Sequence, residues 1–290
     1  MKFIRHCLRP SLWLVLGCGP LGLPMFGQAQ GVTVTPAVPE AYQPFTIRAQ
    51  ISCPLSLEES DSDVYVRSDG IVVETRRLDP GFVCPVTDKT AAVNGLPGGT
   101  YPLIFRYRDW NGPDAGPLEE VTGGEVVIAP APPTQSVFAF YNDAIGHYFI
   151  TAGTAERDSL LGGGGGGGWQ IVDEGFNAWP AAGPAPDAAK PVCRFYSAAV
   201  NSHFYTAGPN ECELLKQPGS GWTYEGIAFR ALVPAKGSCH PGTTPVWRLY
   251  NDRFAQADSN HRFVASPDTY RHMMANGWIG EGVAFCSPES

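Results

Sequence analysis

The second half of the chain carries one motif order three times, and no other feature restricts its fold as much. The copies open on Val137-Phe138-Ala139-Phe140-Tyr141, Val192-Cys193-Arg194-Phe195-Tyr196 and Val246-Trp247-Arg248-Leu249-Tyr250, 55 and 54 residues apart. Each opening leads to a histidine among aromatic or long side chains (His147, His203, His261). A Gly-Trp pair (Trp169, Trp222, Trp278) and a Glu-Gly step (Glu174, Glu225, Glu281) follow. A unit that cannot bury its own apolar face gains a core by packing against its copies. The tripled histidines, tryptophans and glutamates, with Tyr141, Tyr196 and Tyr250, are therefore expected first as structural positions.

Inside one repeat the opening has strand composition, and the histidine segment reads as a second short strand. A brief helix follows, with Ser266 as N-cap before Pro267 in the third repeat and Gly208-Pro209 doing the same work in the second. Leu160-Leu161, Leu214-Leu215 and Met273-Met274 supply its apolar residues. The Gly-Trp pair starts a third strand, in which the glycine after each glutamate suggests a bulge. Three such units predict a closed β-rich module over residues 136–287 (136–190, 191–244 and 245–287). A β-trefoil-like body fits the threefold count, and a small propeller is the alternative, with one short helix per repeat.

Residues 30–129 differ. Val32–Thr35, 45–51, 63–67, 71–74, 101–107 and 125–128 read as strands, several alternating apolar with polar, between turn signals such as Asp69-Gly70 and Pro97-Gly98-Gly99. An immunoglobulin-like β-sandwich is expected there, acting as a spacer. Residues 130–135 form a proline-rich linker, of the kind that holds domains apart.

Residues 1–29 read as an export signal: Lys2, Arg5 and Arg9, an apolar stretch, then Gly27-Gln28-Ala29. A competing reading makes Cys18 a lipid-anchored first residue. No later stretch is apolar enough to span a membrane, so the expected location is secreted, periplasmic or cell-surface. Six cysteines remain beyond the signal, an even number suited to an oxidising compartment. Position in the chain suggests Cys53–Cys84, Cys193–Cys212 and Cys239–Cys286. A net charge of −8, without a basic stripe, argues against nucleic acid as a partner.

The strings His203-Phe204-Tyr205-Thr206-Ala207, Gly221-Trp222-Thr223-Tyr224-Glu225-Gly226-Ile227-Ala228-Phe229 and Val246-Trp247-Arg248-Leu249-Tyr250-Asn251 resemble a family of aromatic repeats in bacterial exported proteins. That family is catalogued as a domain of unknown function, often attached at the C-terminus of secreted proteins. The resemblance covers roughly residues 136–287 and implies no catalytic residues. Repeat one departs from it, with an extra residue between His147 and Thr151 and two between Trp169 and Glu174.

Three convergent imidazoles would suit a zinc ion, but no fourth ligand repeats beside them, so each histidine is expected to be hydrogen-bonded within its own unit. The three glutamates are symmetric copies of one acid and do not form an acid/base pair; Arg194 and Arg248 are natural partners for them. The glycine run 162–168 lacks the Lys-Ser or Lys-Thr of a phosphate loop. Turn residues that vary between copies are the candidate ligand contacts: Asn142, Asp143, Asn251, Asp252, Arg253 and Asn260. Neither metal, cofactor nor catalytic residue is expected. The function this predicts is an exported, non-catalytic binding protein for carbohydrate or a cell-surface polymer. A structural or protein-interaction surface lipoprotein is the first alternative and a hydrolase with an unrecognised site the second.

Overall fold

In a computed structural model the chain is described over residues 31–52, 62–78, 86–111 and 114–289. The expected export signal, Cys18, Cys53 and Cys84 lie outside the described residues. The chain is mainly β, in several small open sheets.

The first half contributes β1 (Val32–Thr35), β2 (Phe45–Ser52), β3 (Ser62–Arg67), β4 (Gly70–Leu78), β5 (Val86–Val93), β6 (Gly99–Asn111) and β7 (Asp114–Ile128). They form a three-stranded sheet, β1-β2-β5, and a four-stranded one, β3-β4-β6-β7. Alternation places Phe45, Ile47 and Ala49 of β2 in one core with Ile71, Val73, Leu103, Phe105, Val126 and Ile128 of the other sheet. β4 and β6 pair in parallel, a departure from the antiparallel pairing of an immunoglobulin-like sheet.

Each repeat folds to the same plan. The first has β8 (Gln135–Asn142), β9 (His147–Thr151), α1 (Thr154–Leu161) and β10 (Trp169–Ala178). The second has β11 (Lys190–Ser197), β12 (Ser202–Thr206), α2 (Pro209–Leu215) and β13 (Thr223–Ala231). The third has β14 (Thr243–Tyr250), β15 (His261–Val264), α3 (Pro267–Ala275) and β16 (Ile279–Pro288). The opening strand is central in each three-stranded antiparallel sheet, and the register shifts along its pairing with the third strand. The three sheets stay separate and do not close into a barrel, so the barrel of the trefoil expectation is absent. Between repeats the backbone pairs at isolated bridges, Trp179 with Arg230 and Leu232 with Cys286, and among the described residues no continuous ladder runs from one sheet to the next.

Apolar packing joins the units instead. Phe176, Phe229 and Phe285, one from each third strand, touch pairwise with ring centroids 5.7, 6.1 and 5.6 Å apart. They belong to one buried cluster with Val137, Val192 and Val246, the first residues of the three openings. Helix and opening strand are clasped at one equivalent position in three chemistries. Arg157 of α1 lies over the Phe138 ring, 4.8 Å from its centroid. Cys212 of α2 is disulfide-bonded to Cys193. Tyr270 of α3 stacks on Trp247 at 5.7 Å. The second observed disulfide, Cys239–Cys286, ties the segment before the third repeat to β16.

The linker does not keep the two halves apart. Trp179 is fully buried against Tyr42 and donates from Nε1 to the Pro132 carbonyl at 2.9 Å. His240 also packs on the Tyr42 ring, and its Nδ1 lies 3.2 Å from the Gly95 carbonyl. A Cβ at Gly95 would stand 2.0 Å from the Tyr42 carbonyl oxygen, so this contact requires glycine. A buried indole draws the halves together more strongly than a short proline segment can separate them.

Candidate functional site

Strand register shows which residues are equivalent. In the second repeat Tyr196 pairs with His203 and Phe195 with Phe204; in the third Tyr250 pairs with His261 and Leu249 with Arg262. In the first, Tyr141 pairs with Tyr148, Phe140 with Phe149, and Asn142 with His147. The extra residue thus displaces His147 by one position. Tyr148, His203 and His261 are equivalents, and His147 takes the place held by Ser202 and, at the foot of the third hairpin, Asn260. The apparent histidine triad is a pair plus one histidine of different role.

That role joins units and is not internal to one. His147 Nδ1 lies 3.0 Å from the Asn201 carbonyl in repeat two, and Nε2 lies 2.7 Å from Asp258 Oδ1 in repeat three. His203 and His261 instead approach glutamates of their own repeats, Glu225 at 3.3 Å and Glu281 at 3.5 Å. Burial, reinforced by the neighbouring Arg194, pushes His203 down to about 4 against a weaker opposing pull from Glu156. Burial and Arg248 push His261 down to about 3. Both imidazoles are therefore neutral near pH 7, and their approaches to glutamate are not ion pairs.

Two of the three junctions between repeats share one design. At the first, Arg194 of β11 reaches Glu156 of α1 at 2.8 Å and Glu225 of β13 at 2.9 Å, while the Phe149 ring meets His203 edge-on. At the second, Arg248 of β14 reaches Glu211 of α2 at 3.4 Å and Glu281 of β16 at 2.8 Å, while Phe204 meets His261. The third junction cannot repeat this, because Ala139 stands at the arginine position and Thr269 at the helix glutamate. It closes through Arg262, which donates to Glu174 at 2.6 Å, both side chains 11% exposed, and lies over the Tyr148 ring at 4.2 Å. Asn260 completes this joint: its Oδ1 accepts from the Tyr148 amide at 2.7 Å and its Nδ2 donates to Ser202 Oγ at 3.0 Å. Each repeat therefore touches both others.

A cleft of about 440 Å³ opens between repeats one and two. Trp169 and Tyr196 supply aromatic surface, Glu156 and Glu225 carboxylates, and Asn201 and His203 further polar groups. Each has a local reason for its placement. Trp169 packs on Phe149 and donates from Nε1 to the Gly165 carbonyl at 3.1 Å, using the glycine run as a turn that reaches back to it. Tyr196 stacks near His203 at 4.9 Å and donates to Asn201 Oδ1 at 2.9 Å. Glu156 sits in the first turn of α1, where Thr151 Oγ1 donates to it at 2.5 Å and accepts from the Gly153 amide. Such a mix of flat aromatic faces and acceptor-rich polar groups can hold a hydroxylated ligand by stacking and hydrogen bonding.

Three of the six candidate turn residues are used up internally. Asn142 is buried and holds the Gly167 carbonyl and the Ala144 amide. Asn251 spans its own loop to the Asp258 carbonyl and the Asn260 amide, and Asn260 is the latch described above. Asp143 and Asp252 are exposed, and Arg253 pairs with Asp258 at 2.6 Å. An asparagine that closes a turn spends its amide on the backbone, although Asn260 also lines the cleft. The tripled tryptophans are half-buried on the second-strand aromatics: Trp169 on Phe149, Trp222 on Phe204, Trp278 on Tyr148. Glu156 and Asn201 carried no motif of their own. A two-of-three pattern, arginine at 194 and 248 with glutamate at 156 and 211, was the available signal.

Residues 136–288, the three repeats together, match the family described as Domain of unknown function (DUF5648). No curated protein and no solved structure matches the chain.

Proposed function

The chain belongs to this family of unknown function, and from that premise we propose that its repeat module is a non-catalytic, exported carbohydrate-binding module. The three sheets are read as blades of a small propeller-like body around the phenylalanine triad, and the ligand occupies the cleft between the first two blades. The observation that carries this reading is the cleft itself: about 440 Å³, with Tyr196 and Trp169 facing carboxylate and amide groups. A pyranose has one apolar face, which suits an aromatic ring, and a rim of hydroxyls, which suits Glu156, Glu225 and Asn201. The two observed disulfides and the basic-apolar N-terminal segment support export. Among the described residues no helix is long and apolar enough to cross a membrane.

A glycan array followed by calorimetry on the strongest hits tests the reading. Tyr196→Ala removes an aromatic face without opening the core and is expected to weaken binding by about tenfold or more, at stacking values of ~1–3 kcal/mol per ring. Unchanged affinity in Tyr196→Ala, or no glycan bound by the intact chain, overturns it.

A further inference from the structure

No lysine or arginine lines the cleft between repeats one and two, yet two carboxylates do. Arg194 lies behind them, its side chain 21% exposed, and takes the same oxygen of each: Nη1 to Glu156 Oε2 and Nε to Glu225 Oε2. Thr151 also donates to Oε2 of Glu156, and His203 approaches Oε2 of Glu225. The other oxygen of each carboxylate, Oε1, has no donor among the described residues. One guanidinium against two carboxylates leaves the wall with one net negative charge. Of the lining imidazoles, His203 is held neutral by burial and by Arg194, and His147 faces a carboxylate of its own, with Nε2 2.7 Å from Asp258 Oδ1 and Nδ1 3.0 Å from the Asn201 carbonyl. A ligand therefore meets acceptors at this wall, backed by a cation it does not touch.

Resting on the carbohydrate reading, we propose that the cleft selects saccharides without acidic groups, whose hydroxyl or amine donors engage the free Oε1 atoms of Glu156 and Glu225. Uronates and sulfated sugars are excluded, because their anions face two carboxylates with no lysine or arginine at the contact surface. Neutral and amine-bearing sugars satisfy the same wall and differ only in the residual charge.

Calorimetry on the full chain with four tetrasaccharide probes separates the outcomes: cellotetraose and chitotetraose as neutral sugars, a glucosamine tetramer as the cationic one, and tetragalacturonate as the acidic one. Each is measured at about 20 mM and about 500 mM salt, over which the screening length falls from ~20 to ~4 Å. The acidic probe is expected to bind about tenfold or more weaker than the tightest neutral one at low salt, with the gap closing at high salt. Glu225→Gln keeps an acceptor while removing the charge, and is expected to narrow the gap. If that variant does not fold, the salt series on the unaltered chain carries the test. Equal or tighter binding of tetragalacturonate, or a gap that salt does not change, overturns the selectivity and leaves carbohydrate binding standing. Silence from every probe overturns both.

Discussion

The clasp between opening strand and helix is made by a cation–π contact, a disulfide and a ring stack at one equivalent position, which lets a single device be weighed in three chemistries. Cys193 and Cys212 are 19 residues apart. In the loop-entropy treatment, closing a loop of that length restricts the unfolded chain by about 3 kcal/mol. Cys193→Ala with Cys212→Ala is therefore expected to destabilise the repeat module by about 3 kcal/mol, a fall in Tm of about 6–12 °C for a unit of this size. Arg157→Ala removes a cation over a ring and is expected to cost less, ~0.5–1 kcal/mol. The assay is urea unfolding followed by tryptophan fluorescence, since five of the seven tryptophans lie between 169 and 278. Grafting the third repeat's pair into the second, Cys193→Trp with Cys212→Tyr, tests equivalence directly. It should restore part of the loss, because aromatic pairs contribute about 0.5–1.5 kcal/mol beyond the area they bury. A double alanine variant less than about 1 kcal/mol below the parent would refute the reasoning. So would a graft less stable than the double alanine, since it would show that the two positions are not geometrically alike.

Three further outcomes are expected. Arg262→Ala leaves Glu174 as an unpaired buried charge and should destabilise by about 3–5 kcal/mol, whereas Arg262→Met with Glu174→Leu should recover most of that loss in the same unfolding assay. His203 and His261 protonate near 6.5 when unfolded and only near 4 and 3 when folded, so between those values the unfolded chain binds more protons. Stability is whole above about pH 6.5 and is lost as the pH falls through 6.5 towards 4 and then 3. Urea midpoints that rise on acidification would contradict this, and His203→Gln with His261→Gln should flatten the dependence. Phe229→Ala empties one corner of the phenylalanine triad and should cost about 3–5 kcal/mol, read as a lowered thermal midpoint.

Much of the repeat plan was legible because periodic chemistry survives without three-dimensional context. The Val openings, Ser266 as N-cap, Pro209 at the start of α2 and the bulge-forming glycines all declare local structure. The two observed disulfides could also be read from position. Strand β5 could not, because Val86–Val93 is an edge strand whose four central polar residues, Thr87 to Thr90, break any alternation. The first part of β7 was missed for a similar reason, since Leu118 to Gly124 reads as glutamate and glycine. The displaced histidine was hidden by its own conspicuousness: His147 matches the motif by type, and only backbone pairing shows that Tyr148 holds the equivalent place. The cleft was the least legible part. Its glutamate on α1 and its aromatics on β10 and β11 are brought together by junction packing, which no local spacing encodes.

The odd joint has a consequence for how the molecule assembles. A ring of three interchangeable wedges joined by identical links could incorporate a wedge from another chain, or start its order from any unit. Here the link between the last wedge and the first uses Arg262, Glu174 and Tyr148, which fit neither of the other joints. The order of units thus has a fixed origin, and a foreign third wedge competing for this seat would bring the same key to a lock already filled at higher local concentration by its own chain. Matching keeps the units in order and tethering favours a chain's own third wedge over a foreign one, and the cleft between the first two wedges is formed within a single chain.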